Sequence, residues 1–254
     1  MYSVFDYLIA LGGGFFVGFV NAIAGGGTLI SFPVLTLIGL PVVSANVTST
    51  VSLSPGYLAA TFAQLKDLKD QKKRLLIFIP LAALGGILGG ILLLQSGDRV
   101  FRSLVPYLIL VASALLALQE PLKKWLNKHQ KLENRQHAFS IISILAIGLA
   151  AIYGGYFGAG LSVIVLAVLA LSISDTLTRL NALKQIIGFS ANMSTAIFFM
   201  FSNHVEWDIV LFMASGAIAG GWAGGKLAAY IKPVFLRRIV VIIGFVVSIV
   251  YFIK

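Results

Sequence analysis

Cysteine is absent from the 254 residues, which excludes disulfides, thiol catalysis and cysteine-held metals. Histidine is scarce: His129, His137 and His204 all fall between apolar segments, and none has a carboxylate cluster at metal-ligand spacing. No GxSxG or HExxH sequence occurs, so neither hydrolase signature is available. The glycine run GGGT at 25–28 lacks the GK[ST] ending of a P-loop, which excludes transport driven by an ATPase site of its own. Charge is low, with 11% of residues Asp, Glu, Lys or Arg. Asp6, Asp98, Glu120, Asp175, Glu206 and Asp208 all sit at the edges of apolar runs, so no buried proton relay is evident, although an edge carboxylate could serve as one. These absences argue against an enzyme and imply no cofactor and no metal.

Apolar surface is plentiful. A chain that is 59% hydrophobic with mean hydropathy +0.97 is an all-α polytopic membrane protein rather than a soluble one. The N-terminus MYSVFDYLIA has Asp6 and no basic n-region, so its apolar run reads as a retained span, not a signal peptide. Apolar segments fall at 7–24, 27–43, 46–65, 75–95 and 104–119, then at 138–157, 160–173, 179–202, 209–230 and 239–253. Several are shorter than the ~20 residues a helix needs to cross ~30 Å of hydrocarbon.

The net charge of +10 would suggest nucleic acid in a soluble protein. Here the basic residues crowd into short loops, which is how membrane orientation is set, and no nucleic-acid partner is expected. Lys66, Lys69, Lys72, Lys73 and Arg74 occupy one loop; Lys123, Lys124, Lys128, Lys131 and Arg135 occupy the linker. With these in the cytoplasm, the regions of Arg179 and Lys184 and of Lys226, Lys232, Arg237 and Arg238 fall on the same side. Only Arg99, Arg102 and Lys254 are left outside, together with both termini and the loop at 203–208. The chain divides into an N-terminal membrane repeat, 1–119, a basic cytoplasmic linker, 120–137, and a C-terminal membrane repeat, 138–254.

Two apolar stretches are broken by glycine. The first, at 12–37, is interrupted by Gly25, Gly26 and Gly27 followed by Thr28; the second, by Gly158 and Gly160 followed by Ser162. A helix that stops and restarts in a bilayer leaves N–H groups unpaired, tolerated only against protein or a water-filled cavity. The restarting half-helix points its positive dipole end into that cavity, where an anion fits. A pair of such breaks in corresponding places marks a transporter's binding site near the midplane.

The halves do correspond. A shift of 133 carries Gly25 to Gly158, Gly27 to Gly160, Thr48 to Asn181, Ser52 to Gln185 and Pro55 to Gly188. A shift of 135 carries GGILGG at 85–90 onto GGWAGG at 220–225. Five segments per half is an odd number, so the repeats have inverted topology. Each glycine-broken pair is short enough to be a re-entrant hairpin, which would leave six full spans in place of ten. The GGxxGG pairs read as close helix packing, and Pro33, Pro55, Pro80 and Pro106 as kink candidates.

Polar residues stripe the segments after each hairpin. Asn181, Lys184, Gln185, Gly188 and Asn192 share one helical face; Thr48, Ser52, Pro55 and Ala59 share its counterpart, with Asn46 and Ser49 nearby. Such a stripe faces either an aqueous path or a neighbouring helix. Lys184 lies nine residues, or about 14 Å, beyond Asp175, deep enough to offer a charge to a cavity rather than to headgroups.

The stretches GFFVGFVNAIAGGGTLISFPVL and ANVTSTVSLSPGYLAA, followed by GGYFGAGLSVIVLAVL and LNALKQIIGFSANM, resemble the two halves of the sulfite exporter TauE/SafE membrane family. The likeness covers the chain except the linker. It departs at GAGLS, where a fuller glycine run is usual. The resemblance implies a multi-pass protein of a bacterial-type plasma membrane that moves small sulfur-containing anions such as sulfite or organosulfonates. The expectation is a secondary transporter, with Gly25, Gly26, Gly27, Thr28, Asn46, Thr48, Ser52, Gly158, Gly160, Ser162, Asn181, Lys184, Gln185 and Asn192 as candidate substrate ligands. An anion channel, or a non-transporting subunit that docks a partner through the linker, are the alternatives. The oligomeric state is left open.

Overall fold

The computed structural model describes residues 2–130, 141–227 and 230–253. The part of the linker at 131–137, with His137, lies outside them. The described residues form an all-helical bundle: α1 (Val4–Ile23), α2 (Thr28–Leu37), α3 (Val42–Ala63), α4 (Lys72–Gln130), α5 (Ile141–Tyr156), α6 (Leu161–Ser172), α7 (Leu177–Met200), α8 (Trp207–Leu227) and α9 (Pro233–Ile253). A single 3-10 turn, Leu65–Leu68, joins α3 to α4. Large apolar side chains such as Leu76, Leu145, Leu149, Leu211 and Ile242 stay exposed on the outward faces. That surface suits hydrocarbon as solvent, and the chain is an all-α polytopic membrane protein.

Each apolar run is helical. The fourth and fifth runs lie on α4, which breaks at Gly97, where φ is +67° and ψ 172°. Pro80 and Pro106 lie inside α4 without interrupting it, so the bend falls at the glycine that precedes Asp98. Its arms, 72–96 and 98–130, run about 36 Å and 48 Å, each longer than the hydrocarbon core. The second arm carries the helix through 120–130, the first part of the linker.

α2 and α6 have 10 and 12 residues, or about 15 Å and 18 Å, too short to cross hydrocarbon alone. Each folds back on the helix before it: Gly13 of α1 faces Val34 of α2, and Gly154 of α5 faces Leu161 of α6.

Small residues decide how these hairpins are held. α1 lies parallel to α8, with Gly14 against Met213, Gly18 against Ala217, and Gly220 and Gly224 against the carbonyls of Phe15 and Phe19. α5 lies parallel to the first arm of α4, with Gly85 against Ala151 and the Gly148 carbonyl, and Gly89 against the Ile152 carbonyl. The two seams use corresponding positions: 85 and 89 map to 220 and 224, and 148 and 152 to 15 and 19. At Gly89 and Gly220 a Cβ would overlap a backbone carbonyl, so only glycine lets the helices approach this closely. Each glycine-broken hairpin is thus clasped by the GGxxGG helix of the other half.

The polar contacts sort to two ends. At one, the Val43 N–H donates to Asp98 (3.0 Å) and the Glu206 N–H to Thr48 Oγ1 (3.2 Å). At the other, Asp175 pairs with Arg74 and Arg179, and Gln71 Nε2 donates to the Arg179 carbonyl (3.3 Å).

Candidate functional site

The two glycine breaks meet. A small, partly open cavity of about 30 Å3 is lined by Gly26, Gly27 and Thr28 from the first break and by Gly158, Ala159, Gly160 and Ser162 from the second. Asn21, Leu29, Tyr57 and Leu116 complete its wall. Leu116 belongs to the second arm of α4, about halfway along it.

Backbone chemistry builds this site. Gly25 and Gly26 have φ of +77° and +89°, and Gly158 and Gly160 both have +81°. These left-handed conformations reverse the chain within four residues, and side chains with a Cβ adopt them only under strain. In the first break, the Gly27 N–H donates to Asn21 Oδ1 (2.8 Å), while the N–H groups of Ile30 and Ser31 turn back to the Gly27 carbonyl. In the second, the Tyr153 hydroxyl donates to the Ala159 carbonyl (2.6 Å). That bond anchors the loop by its carbonyl and leaves the Ala159 N–H uncommitted.

Among the described residues, the backbone N–H groups of Gly26, Thr28, Ala159, Gly160 and Ser162 donate to no protein acceptor. They belong to the starts of α2 and α6, where dipoles present positive ends. Among the described residues, the polar side chains on the wall are the hydroxyls of Thr28, Ser162 and Tyr57 and the Asn21 amide. No acidic or basic side chain among the described residues lines it. The arrangement offers a small anion many neutral donors and no fixed counter-charge.

Six of the residues singled out from sequence therefore share one cavity: Gly26, Gly27, Thr28, Gly158, Gly160 and Ser162. Gly25 supplies the turn without lining it. The polar stripes lie elsewhere. Asn46 Nδ2 donates to the Tyr156 carbonyl (3.0 Å), behind the second break. Thr48 receives the Glu206 N–H, and Ser52 Oγ donates to the Thr48 carbonyl (2.7 Å). Asn192 accepts from Ser54 Oγ across the α3–α7 seam (3.2 Å). Asn181 Nδ2 donates to Leu177 O and Asn181 Oδ1 accepts from Lys184 Nζ (3.1 Å); Gln185 is half-buried on the same face.

Sequence reasoning passed over Asn21, Leu29, Tyr57 and Leu116. Asn21 had a signal, as the one strongly polar side chain between Asp6 and the glycine run. Tyr57 and Leu116 come from other helices, and nothing local to them marks their placement.

The comparisons with known proteins point to a membrane transporter. A "Probable membrane transporter protein" of Haemophilus influenzae is 26% identical over 235 residues, 92% of this chain and 90% of the relative. "Probable membrane transporter protein ORF9" of a Sinorhizobium species is 25% identical over 92% of this chain and 88% of its own. "Probable membrane transporter protein YfcA" of Escherichia coli K12 is 25% identical over 91% and 84%. No solved structure matches the chain. The profile of the sulfite exporter TauE/SafE family matches residues 10–251, and the chain belongs to that family of membrane transporters.

Proposed function

We propose that this protein exports small sulfur-containing or organic anions, such as sulfite or organosulfonates, across a bacterial-type plasma membrane. The observation that carries the reading is the convergence of both glycine breaks on one cavity ringed by unpartnered N–H groups. A sulfonate or sulfite group presents three oxygens, a number that suits donors arriving from two sides. The neutral wall favours release as well as binding, since no cation among its lining residues holds the anion. A monoanion leaving a negative interior gains about 2.3 kcal/mol per 100 mV, so efflux needs no coupling carboxylate in the cavity. The matched glycine seams support two repeats of inverted topology, with the hairpins entering from opposite sides and exposing the cavity to each side in turn.

The test is sulfite flux from liposomes, comparing the parent with Gly26→Leu. At position 26 a Cβ would lie 2.7 Å from Leu116 Cδ2, and the longer side chain would fill the cavity mouth. Sulfite-specific counterflow in the parent, lost in the folded variant, is the expected result. Equal flux in both would remove the cavity from the mechanism. Flux far above alternating-access rates without trans-stimulation would make the protein a channel.

A further inference from the structure

Arg237 is the most deeply buried charge among the described residues, 5% exposed, although its place near the start of α9 suggested a side chain at the membrane edge. Its Nη1 donates to Glu120 Oε1 (2.5 Å) and its Nη2 reaches the Ala24 carbonyl at 3.5 Å. Its Nε is buried without an acceptor. The neighbouring Arg238 is exposed, so the burial belongs to this position and not to the whole turn.

The place of this group in the fold is specific. The second arm of α4 and α9 run antiparallel, with Ser248 Oγ donating to the Pro106 carbonyl (2.8 Å) and Gly244 packed on Ser113. Leu116 lines the cavity, and Glu120 follows one helical turn later on α4. Val240 faces Gly26, and Arg237 precedes it by one turn on α9. The Arg237–Glu120 pair therefore lies one turn past Leu116 on α4 and Val240 on α9, toward the end of the bundle that also holds Arg74 and Arg179. Ala24, which approaches Nη2, is the residue that leads into the first glycine break.

We infer that Arg237 forms a second oxyanion site, a transit station between the hairpin cavity and the basic end of the bundle. Its unpaired Nε and weakly used Nη2 form the edge of a fork that accepts two oxygens of a planar or pyramidal oxyanion. The cavity itself has no charged side chain, so this guanidinium is the first cation met along α4 and α9. Glu120, with its side chain 33% exposed, offsets part of that charge. Partial neutralisation matters for passage, because a transit site must hold its ion weakly enough to let it go. The inference rests on the sulfur-oxyanion reading above.

The experiment compares the parent with Glu120→Gln and Arg237→Lys, using sulfite for both binding by thermal shift and flux in liposomes. Glu120→Gln should bind sulfite about tenfold more tightly yet turn over about tenfold more slowly, as an uncompensated guanidinium retains the anion. Arg237→Lys, which keeps the charge and loses the fork, should weaken apparent affinity about tenfold. A pair that only staples α4 to α9 would lower thermal stability in both variants and leave sulfite affinity unchanged, and that result overturns the inference. If Arg237→Lys does not fold, the tighter binding and slower flux of Glu120→Gln decide alone. A parent that neither binds nor moves sulfite overturns both readings; an active parent with a parental Glu120→Gln overturns only this one.

Discussion

Asn21 shows how one side chain can serve both the fold and the ligand. Its Oδ1 accepts the Gly27 N–H, which fixes the start of α2, while the same residue lines the cavity. Asn21→Asp keeps an acceptor for Gly27 and places a negative charge on the wall. The fold should survive, and sulfite binding should fall by at least about a hundredfold, since like charges meet with little water between them. Asn21→Ala loses that hydrogen bond, which is worth about 1 kcal/mol, and should lower thermal stability while reducing binding far less. Sulfite titrations with melting curves separate the two effects; an Asn21→Asp protein that binds normally would move the anion away from this hairpin. Much of the site was legible in the residues because glycine runs in apolar helices have so few uses. The residues that escaped, Tyr57 and Leu116, arrive from helices with no local mark. The polar stripes were ambiguous for a physical reason: Ser, Thr and Asn on an apolar helix satisfy a neighbouring helix as readily as a substrate. Ser54 with Asn192 and Asn46 with Tyr156 show the first use, while Ser52 turns back to the Thr48 carbonyl of its own helix.

At the scale of elements, the glycine seams and the charged corner hold the hairpins in place. Gly220 packs so closely on the Phe15 carbonyl that a valine there must push α1 and α8 apart, whereas Gly225 has open space where a Cβ would go. Gly220→Val should destabilise the protein by about 2–3 kcal/mol or prevent its folding, and Gly225→Val should be tolerated. Size-exclusion profiles and melting curves in detergent give the comparison, and equal behaviour would deny the seam its role. At the α6–α7 connection, burial pushes the Asp175 carboxyl up, but hydrogen bonds from Arg74, the Thr176 N–H and Arg179 prevail and hold it below the usual range. A carboxyl lowered by folding contributes stability above its unfolded value, near pH 4, and that contribution is lost as pH falls through the folded value. The parent should therefore lose thermal stability below about pH 4. Asp175→Asn should be less stable at pH 7 and show a shallower decline across that window. The glycine motifs predicted close packing, and the seams bear it out. Their partners could not be read, because nothing in GGWAGG names α1 of the other half.

At the scale of the molecule, the polar contacts define two ends. The start of α3, the break at Gly97 and the start of α8 gather at one end through Val43 with Asp98 and Glu206 with Thr48. Arg74, Asp175 and Arg179 gather at the other, and Arg237 with Glu120 lies about 33 Å along α4 from Asp98. The second end carries the positive charge, and on the positive-inside rule we propose that it faces the cytoplasm. Hydropathy located the runs from which these helices form. It could not decide between ten spans and re-entrant hairpins, because helix length in a broken run depends on where the turn closes. The absence of cysteine makes orientation directly measurable. Single cysteines at Lys72 and Gln130 should react with a membrane-impermeant maleimide only from the cytoplasmic face. Those at Ser96 and Asn203 should react only from the opposite face. Inversion demands this pattern: in the first half the loop after the third segment holds Lys72, while its counterpart in the second half holds Asn203. If both labelled from the same face, the halves would be parallel repeats. The hairpins could not then enter from opposite sides, and the cavity between them would need a mechanism other than alternating access.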